Sequence, residues 1–201
     1  SQCDGGAIYN TGALYLGSSE FFANQASVDC QEISTGGAIF TQGALQVAGS
    51  AFHDNHANAG GVVGITGNLA LSSTVVIRGS ALYSNSASLF AGAVLVAGPS
   101  TLHVEQSSIY SNSAQYVGGV GSAYGGALLD IVNTTFAGNV AQYTASALFA
   151  ADYDVLTNGQ GFGPDTVSLQ NVTIADNRLD GTPAPGAFFA IVGLDGGYGG
   201  P

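Results

Sequence analysis

Gly36-Gly37-Ala38-Ile39, followed by Phe52-His53-Asp54-Asn55, is the stretch whose reading decides the fold. The same two phrases stand earlier as Gly5-Gly6-Ala7-Ile8 and Phe21…Asn24. The second phrase, an apolar residue three before an Asn, returns as Leu82…Asn85, Ile109…Asn112, Phe136…Asn139 and Ile174…Asn177. A unit repeated this often in a chain of 201 residues implies stacked repeats rather than one globular core.

The spacing of the repeat narrows the architecture. The Asn positions advance by 31, 30, 27, 27 and 38 residues. Helical and leucine-rich repeats hold a tighter register, whereas a coil of short strands absorbs insertions at its corners. Within each unit the residues alternate: Ala13-Leu14-Tyr15-Leu16 and Ala44-Leu45-Gln46-Val47 occupy one slot, later filled by Val75-Val76-Ile77, Leu102-His103-Val104 and Val167-Ser168-Leu169. Period-two alternation over short runs is strand patterning.

The expected fold is therefore all-β, a right-handed parallel β-helix of about six to seven coils forming one domain over residues 1–201. Coils spaced at about 4.8 Å would make a rod roughly 34 Å tall. Gly-Ala steps at Gly6, Gly37, Gly61, Gly92, Gly126, Ser146 and Gly186 mark the expected coil starts. Insertions are expected near 27–35, 115–124 and 150–165, with a Gly-rich tail over 193–201. Phe21, Phe52, Leu82, Ile109, Phe136 and Ile174 should form an inward stack. Asn24, Asn55, Asn85, Asn112, Asn139 and Asn177 should sit at the next corner, tolerating left-handed backbone and bonding along the stack as a ladder.

Composition agrees and excludes several function classes. Hydrophobic residues make up 46% of the chain and charged residues only 7%, and the 31 Gly favour turns over helices. The only cationic side chains beyond histidine are Arg78 and Arg178, against 13 acids, for a net charge of −11. Nucleic-acid binding rests on Lys and Arg displacing counterions, so this balance argues against it. No run of about 18 apolar residues is present, so no spanning helix is expected.

The Gly-Gly-Ala-Ile and Phe-x-x-Asn pair resembles the repeats of the polymorphic outer-membrane proteins, a family of autotransporter passengers. Two units carry both motifs intact; later ones relax Phe to Leu or Ile, and Gly-Gly to Ala91-Gly92 or Ala145-Ser146. The resemblance implies a right-handed β-helix exposed outside the cell, with adhesive or coat-like roles. It does not extend to a membrane barrel.

Export gives meaning to two further features. Cys3 and Cys30 lie about one repeat apart, so stacking would bring them within the Cα separation a disulfide needs, about 4.4–6.8 Å; two buried free thiols are the alternative. Asn133-Thr134-Thr135 and Asn171-Val172-Thr173 are candidate N-glycosylation sequons at Asn133 and Asn171. Without a charged-then-apolar signal pattern at its start, the sequence is expected to be a mature secreted product or an excised fragment.

Candidate chemistry is sparse. A glycosidase needs two carboxylates facing each other across a sugar. Asp152 and Asp154 form the one i, i+2 acidic pair, set in the longest insertion. A polyuronate lyase would have to rely on Arg78 or Arg178. His53-Asp54-Asn55-His56 carries ligand-type side chains, but Asn55 at a corner should make the two histidines diverge. No metal or cofactor is expected. The repeat begins by Gly5 and closes on an apolar segment from Gly186 to Leu194, so both ends are expected to be open and suited to head-to-tail stacking. The expected function is a non-catalytic, secreted or cell-surface structural and adhesive element. It would self-associate into an extracellular filament, with a glycan or cell-surface partner. The alternative is a carbohydrate-active or carbohydrate-binding β-helix with its groove near Asp152 and Asp154.

Overall fold

The computed structural model describes residues 3–27, 33–67, 72–123, 125–151, 165–181 and 191–192. These residues form an all-β parallel solenoid, and no helix occurs among them. Each coil passes through up to four short strands, and every strand pairs in parallel with its equivalents in the neighbouring coils. The result is four sheets, of seven, six, six and five strands, running the length of the stack.

The first face holds Ile8–Asn10, Ile39–Thr41, Val63–Thr66, Val94–Ala97, Val120–Ala123, Leu148–Ala151 and Ile191–Val192. The second holds Ala13–Gly17, Ala44–Ala48, Thr74–Arg78, Thr101–Glu105, Leu128–Val132 and Thr166–Gln170. Glu20–Phe22, Ala51–His53, Ala81–Tyr83, Ser108–Tyr110, Thr135–Ala137 and Thr173–Ala175 make the third. The fourth is His56–Ala59, Ser86–Phe90, Ser113–Ala114, Val140–Ala141 and Arg178–Leu179.

Alternation decides which side chains fill the core. Leu45 and Val47 are buried while Ala44 and Gln46 face out, as period-two patterning requires. Phe21, Phe52, Leu82, Ile109, Phe136 and Ile174 lie in one register column. Its four inner members are buried, Phe21 is half-buried, and Ile174 at the far end is 39% exposed. A fully buried aliphatic or Phe side chain contributes about 1.5–3 kcal/mol, so the inner coils hold most of the stabilisation.

The corners are made by left-handed residues. Between the second and third faces these are Ser18, Gly49, Gly79, Gln106, Asn133 and Asn171, with φ from 48° to 57°. Between the third and fourth they are Ala23, Asp54, Ser84, Ser111, Gly138 and Asp176. The sequence had assigned this conformation to the repeat Asn; it belongs to the residue before it. One left-handed residue is enough to turn the chain, and it swings the following Asn side chain inward. At Gly36-Gly37 the two glycines do different work. Gly36 adopts φ of 71°, and a Cβ on Gly37 would lie 2.2 Å from the Gly61 carbonyl oxygen of the next coil.

Two positional expectations are corrected. The fifth Gly step in register is Gly118, whose missing Cβ faces the Ser146 carbonyl, and not Gly126. Gly125 and Gly126 stand instead in the turn between the first and second faces. The expected insertion over 115–124 is largely regular: Val120–Ala123 pairs with Val94–Ala97. The longest connections from first-face to second-face strands are those between Thr66 and Thr74, Ala123 and Leu128, and Ala151 and Thr166.

From Ile39–Thr41 to Val120–Ala123 the first face is largely buried on both sides, whereas Tyr9 in its edge strand is exposed. Behind this face lies a second apolar cluster of Ala59, Phe90, Ala91, Leu95, Ala97, Val117, Ala123, Ala145 and Phe149. Phe90 meets Phe149 edge-on with centroids 5.7 Å apart.

Candidate functional site

The repeat Asn residues form a continuous directional ladder. The amide Nδ2 and backbone N–H of Asn55 both donate to Oδ1 of Asn85, at 2.9 and 3.0 Å. Asn24 does the same to Asn55, Asn85 to Asn112, Asn112 to Asn139 and Asn139 to Asn177. Each Nδ2 from Asn55 onward also donates backward to the carbonyl of the apolar residue one coil earlier, as Asn55 does to Phe21 and Asn112 to Leu82. This gives the apolar-x-x-Asn spacing a cause. The inward-turned amide must reach both the next Asn and the carbonyl beneath the apolar column. Buried amides left unpaired cost about 1–3 kcal/mol each, so the column is self-enforcing.

A second ladder flanks the other end of the third face. The backbone N–H of Ser19 donates to Ser50 Oγ, Ser50 N–H to Ser80 Oγ, and Ser80 N–H to Ser107 Oγ, each at 3.1 Å. Each hydroxyl donates to the carbonyl two residues back. Thr134 continues the hydroxyl contact through Val132, and Val172 takes the place after it. This column escaped the sequence reading, although a Ser or Thr stands two before the apolar residue in five units.

On the outer side of this corner lies an open groove of about 460 Å³. Ser18, Ser19, Glu20, Gly49, Ser50, Ala51, Gly79, Ser80, Ala81, Gln106 and Ser108 line it. Its existence follows from side-chain size. In the left-handed corner column Gly49 and Gly79 stand where later coils carry Gln106, Asn133 and Asn171. In the adjacent outward column Ala51 and Ala81 stand where Ser108, Thr135 and Thr173 follow. A Cβ on Gly79 would meet nothing within 4 Å.

Two residues along each third-face strand, on the same outer side, runs a stack of rings. Phe22, His53, Tyr83 and Tyr110 succeed one another with centroids 5.5, 4.9 and 5.0 Å apart and planes within 15° of parallel. Each immediately follows a core-column residue, so strand alternation alone turns it outward. Phe22, at the end of the stack, is 58% exposed. His53 Nδ1 meets Asp54 Oδ2 at 2.8 Å and Nε2 meets Glu20 Oε1 at 3.1 Å. The hydrogen bond to Asp54, then that to Glu20, raises the imidazole pKa above its ordinary value.

The other singled-out residues do not converge. His56, on the fourth face, meets Ser86 Oγ at 2.9 Å and Ser88 Oγ at 3.2 Å, away from His53. His103 faces outward on the second face against Asp130 Oδ2 at 2.9 Å. Arg78 pairs with Glu105 at 3.0 Å and Arg178 with Asp180 at 2.7 Å. Among the described residues no group of three His, Cys, Asp or Glu is arranged to hold a metal ion. Asn133 and Asn171 are exposed one coil apart, Asn171 Nδ2 donating to Asn133 Oδ1 at 3.2 Å. Asp152, Asp154 and Cys30 lie outside the described residues, as do Gly186 and the tail 193–201. No described cysteine is free, and the Cys3–Cys30 staple stays an expectation. Comparison with known protein families, with curated proteins and with solved structures gives no match.

Proposed function

We propose that this chain is a non-catalytic structural and adhesive β-solenoid that works outside the cell, secreted or at its surface. It is of the kind that polymorphic-outer-membrane-type repeats build, with the right-handed coil expected of them. The observation that supports this reading is the division of labour among side chains. The repeat residues Asn and Phe, Leu or Ile are committed to coil-to-coil bonds and core, and the outward side of the third face carries contact groups, rings beside a hydroxyl-rich groove. The reading is tested by incubating the protein with a broad panel of polysaccharides and measuring both surface retention and new reducing or unsaturated ends. Retention without product is expected; release of ends would overturn the non-catalytic assignment.

The same proposal includes self-association through the solenoid ends. Leu14, Leu16 and Phe21 in the first coil, and Val167, Leu169 and Ile174 in the sixth, are less buried than their counterparts between them. Head-to-tail contact would extend both the apolar column and the Asn ladder, whose Asn-to-Asn bonds all point one way, and a non-closing contact of this type yields a filament. Negative-stain electron microscopy across a concentration series tests it. Lengthening fibres are expected, and uniform short rods at high concentration would sink it.

A further inference from the structure

We infer that the groove between the second and third faces is a binding site for a neutral saccharide chain lying along the solenoid axis. This rests on the adhesive reading above and names its ligand class. The groove is a specific interruption rather than a general property of the corner. Gly49, Gly79, Ala51 and Ala81 open it over two coils, and the Gln106 amide and the Glu20 carboxylate close its two ends.

The backbone of the floor argues against a peptide. Gly49 N–H donates to the Arg78 carbonyl and Gly79 N–H to the Glu105 carbonyl, both at 3.0 Å, while Ala51 and Ala81 N–H are taken by Ser19 and Ser50 carbonyls. A peptide that adds as a strand needs such groups unspent. What the groove offers is side-chain hydrogen bonding at its ends and a small apolar floor at Ala51 and Ala81, with the His53–Tyr83 ring stack two residues farther along the same strands. Hydroxyls projecting from a ring with apolar C–H faces match that set.

Charge selects among saccharides. Glu20 stands in the groove, Asp54 lies on the other side of the His53 ring, and the chain carries a net charge of −11. A polyuronate or sulfated chain would meet repulsion there, and Arg78, paired to Glu105, offers little relief.

The decisive variant has a native precedent. Gln106 holds φ of 51° at the register position equivalent to Gly79, so Gly79→Gln fills the groove with a side chain the same corner carries one coil on, at the modest backbone cost that left-handed φ imposes on any residue with a Cβ. Ala81→Thr likewise copies Thr135 and Thr173. Neutral gluco-, xylo- and manno-oligosaccharides, with polygalacturonate as the anionic control, would be titrated by NMR into the wild-type protein and both variants. The expected result is binding of at least one neutral oligosaccharide, weakened about tenfold or more in each variant while the amide spectrum stays that of the folded protein, Ala81→Thr also keeping the melting temperature. Wild-type affinity in both variants would overturn the site while leaving adhesion intact, because the sugar would then bind elsewhere. Absence of any neutral binding, or preference for polygalacturonate, would overturn the ligand class. Cleavage of the bound sugar would instead count against the non-catalytic reading.

Discussion

The first and third faces are built from the same parallel pairing, yet one is closed on both sides and the other is open on its outer side. Outward positions of the first face carry Tyr9, Phe40, Gly64, Leu95, Gly121 and Phe149; all but Tyr9 at the edge are buried, Leu95 and Phe149 within a second core that includes Phe90 and Val117. Outward positions of the third carry Glu20, small residues and the ring stack, and no other described residues form a second layer over them. The difference teaches where a solenoid of this kind can acquire function. Inward columns are fixed by stacking on every face, so freedom to vary lies only on outward columns that no second layer covers.

The interior shared by both faces sets the largest expected effect. Asn112→Ala strands the buried Asn85 N–H and takes one bond each from Asn85 Nδ2 and the Leu82 carbonyl, whereas Asn139 Oδ1 keeps the backbone N–H of residue 112. A loss of about 3 kcal/mol in chemical denaturation is expected, from about 1–3 kcal/mol for the stranded N–H together with the two weakened partners. Asn24→Ala, at the half-buried end of the ladder, should cost well under half of that.

Next comes a direct comparison of the two outward sides. A Cβ on Gly121 would lie 2.6 Å from a ring carbon of Phe90. Gly121→Ala should therefore cost about 1–3 kcal/mol through overpacking, whereas Ala81→Ser on the third face should stay within about 0.5 kcal/mol. Equal costs in thermal melts would erase the distinction between closed and open faces.

Tyr83→Ala removes two ring contacts, to His53 and to Tyr110, each worth about 0.5–1.5 kcal/mol at most because the stack is solvent-exposed. Double-mutant cycles with Tyr110 measure that coupling.

The smallest expected effect is on pH. The folded pKa of His53 is raised, so its contribution is fully present below the ordinary value near 6.5 and is lost as pH rises through the folded value. The His53 ring is 18% exposed, but Glu20 and Asp54 are well exposed, so the effect should be slight and screened by salt. Histidine NMR titration of the wild type and of Asp54→Asn checks it: Asp54→Asn should bring the midpoint down.

Much of the fold was legible because its causes are periodic and local. Phe52 and Asn55 announce a coil wherever they recur, since a core position and an inward amide tolerate few substitutes. The left-handed corner residues were not legible, because Ala23, Asp54, Ser84, Ser111, Gly138 and Asp176 share a conformation rather than a chemistry. Gly118 was passed over for Gly126 because two Gly pairs stand within ten residues, and only pairing of Val120 with Val94 tells which one continues the column. The ring stack was hidden differently. Phe22, His53, Tyr83 and Tyr110 look unrelated in sequence, and their kinship is purely one of register.

The chain by itself determined that short strands would stack in parallel, which residues would fill the core, and that an Asn ladder would bind the coils, because period-two alternation and a recurring Asn act at each coil independently. Only the tertiary structure decided which outward side would be covered, and that a groove would open at Gly49 and Gly79. Those outcomes depend on how side chains from different coils align and on what folds over them, and no single repeat contains that information.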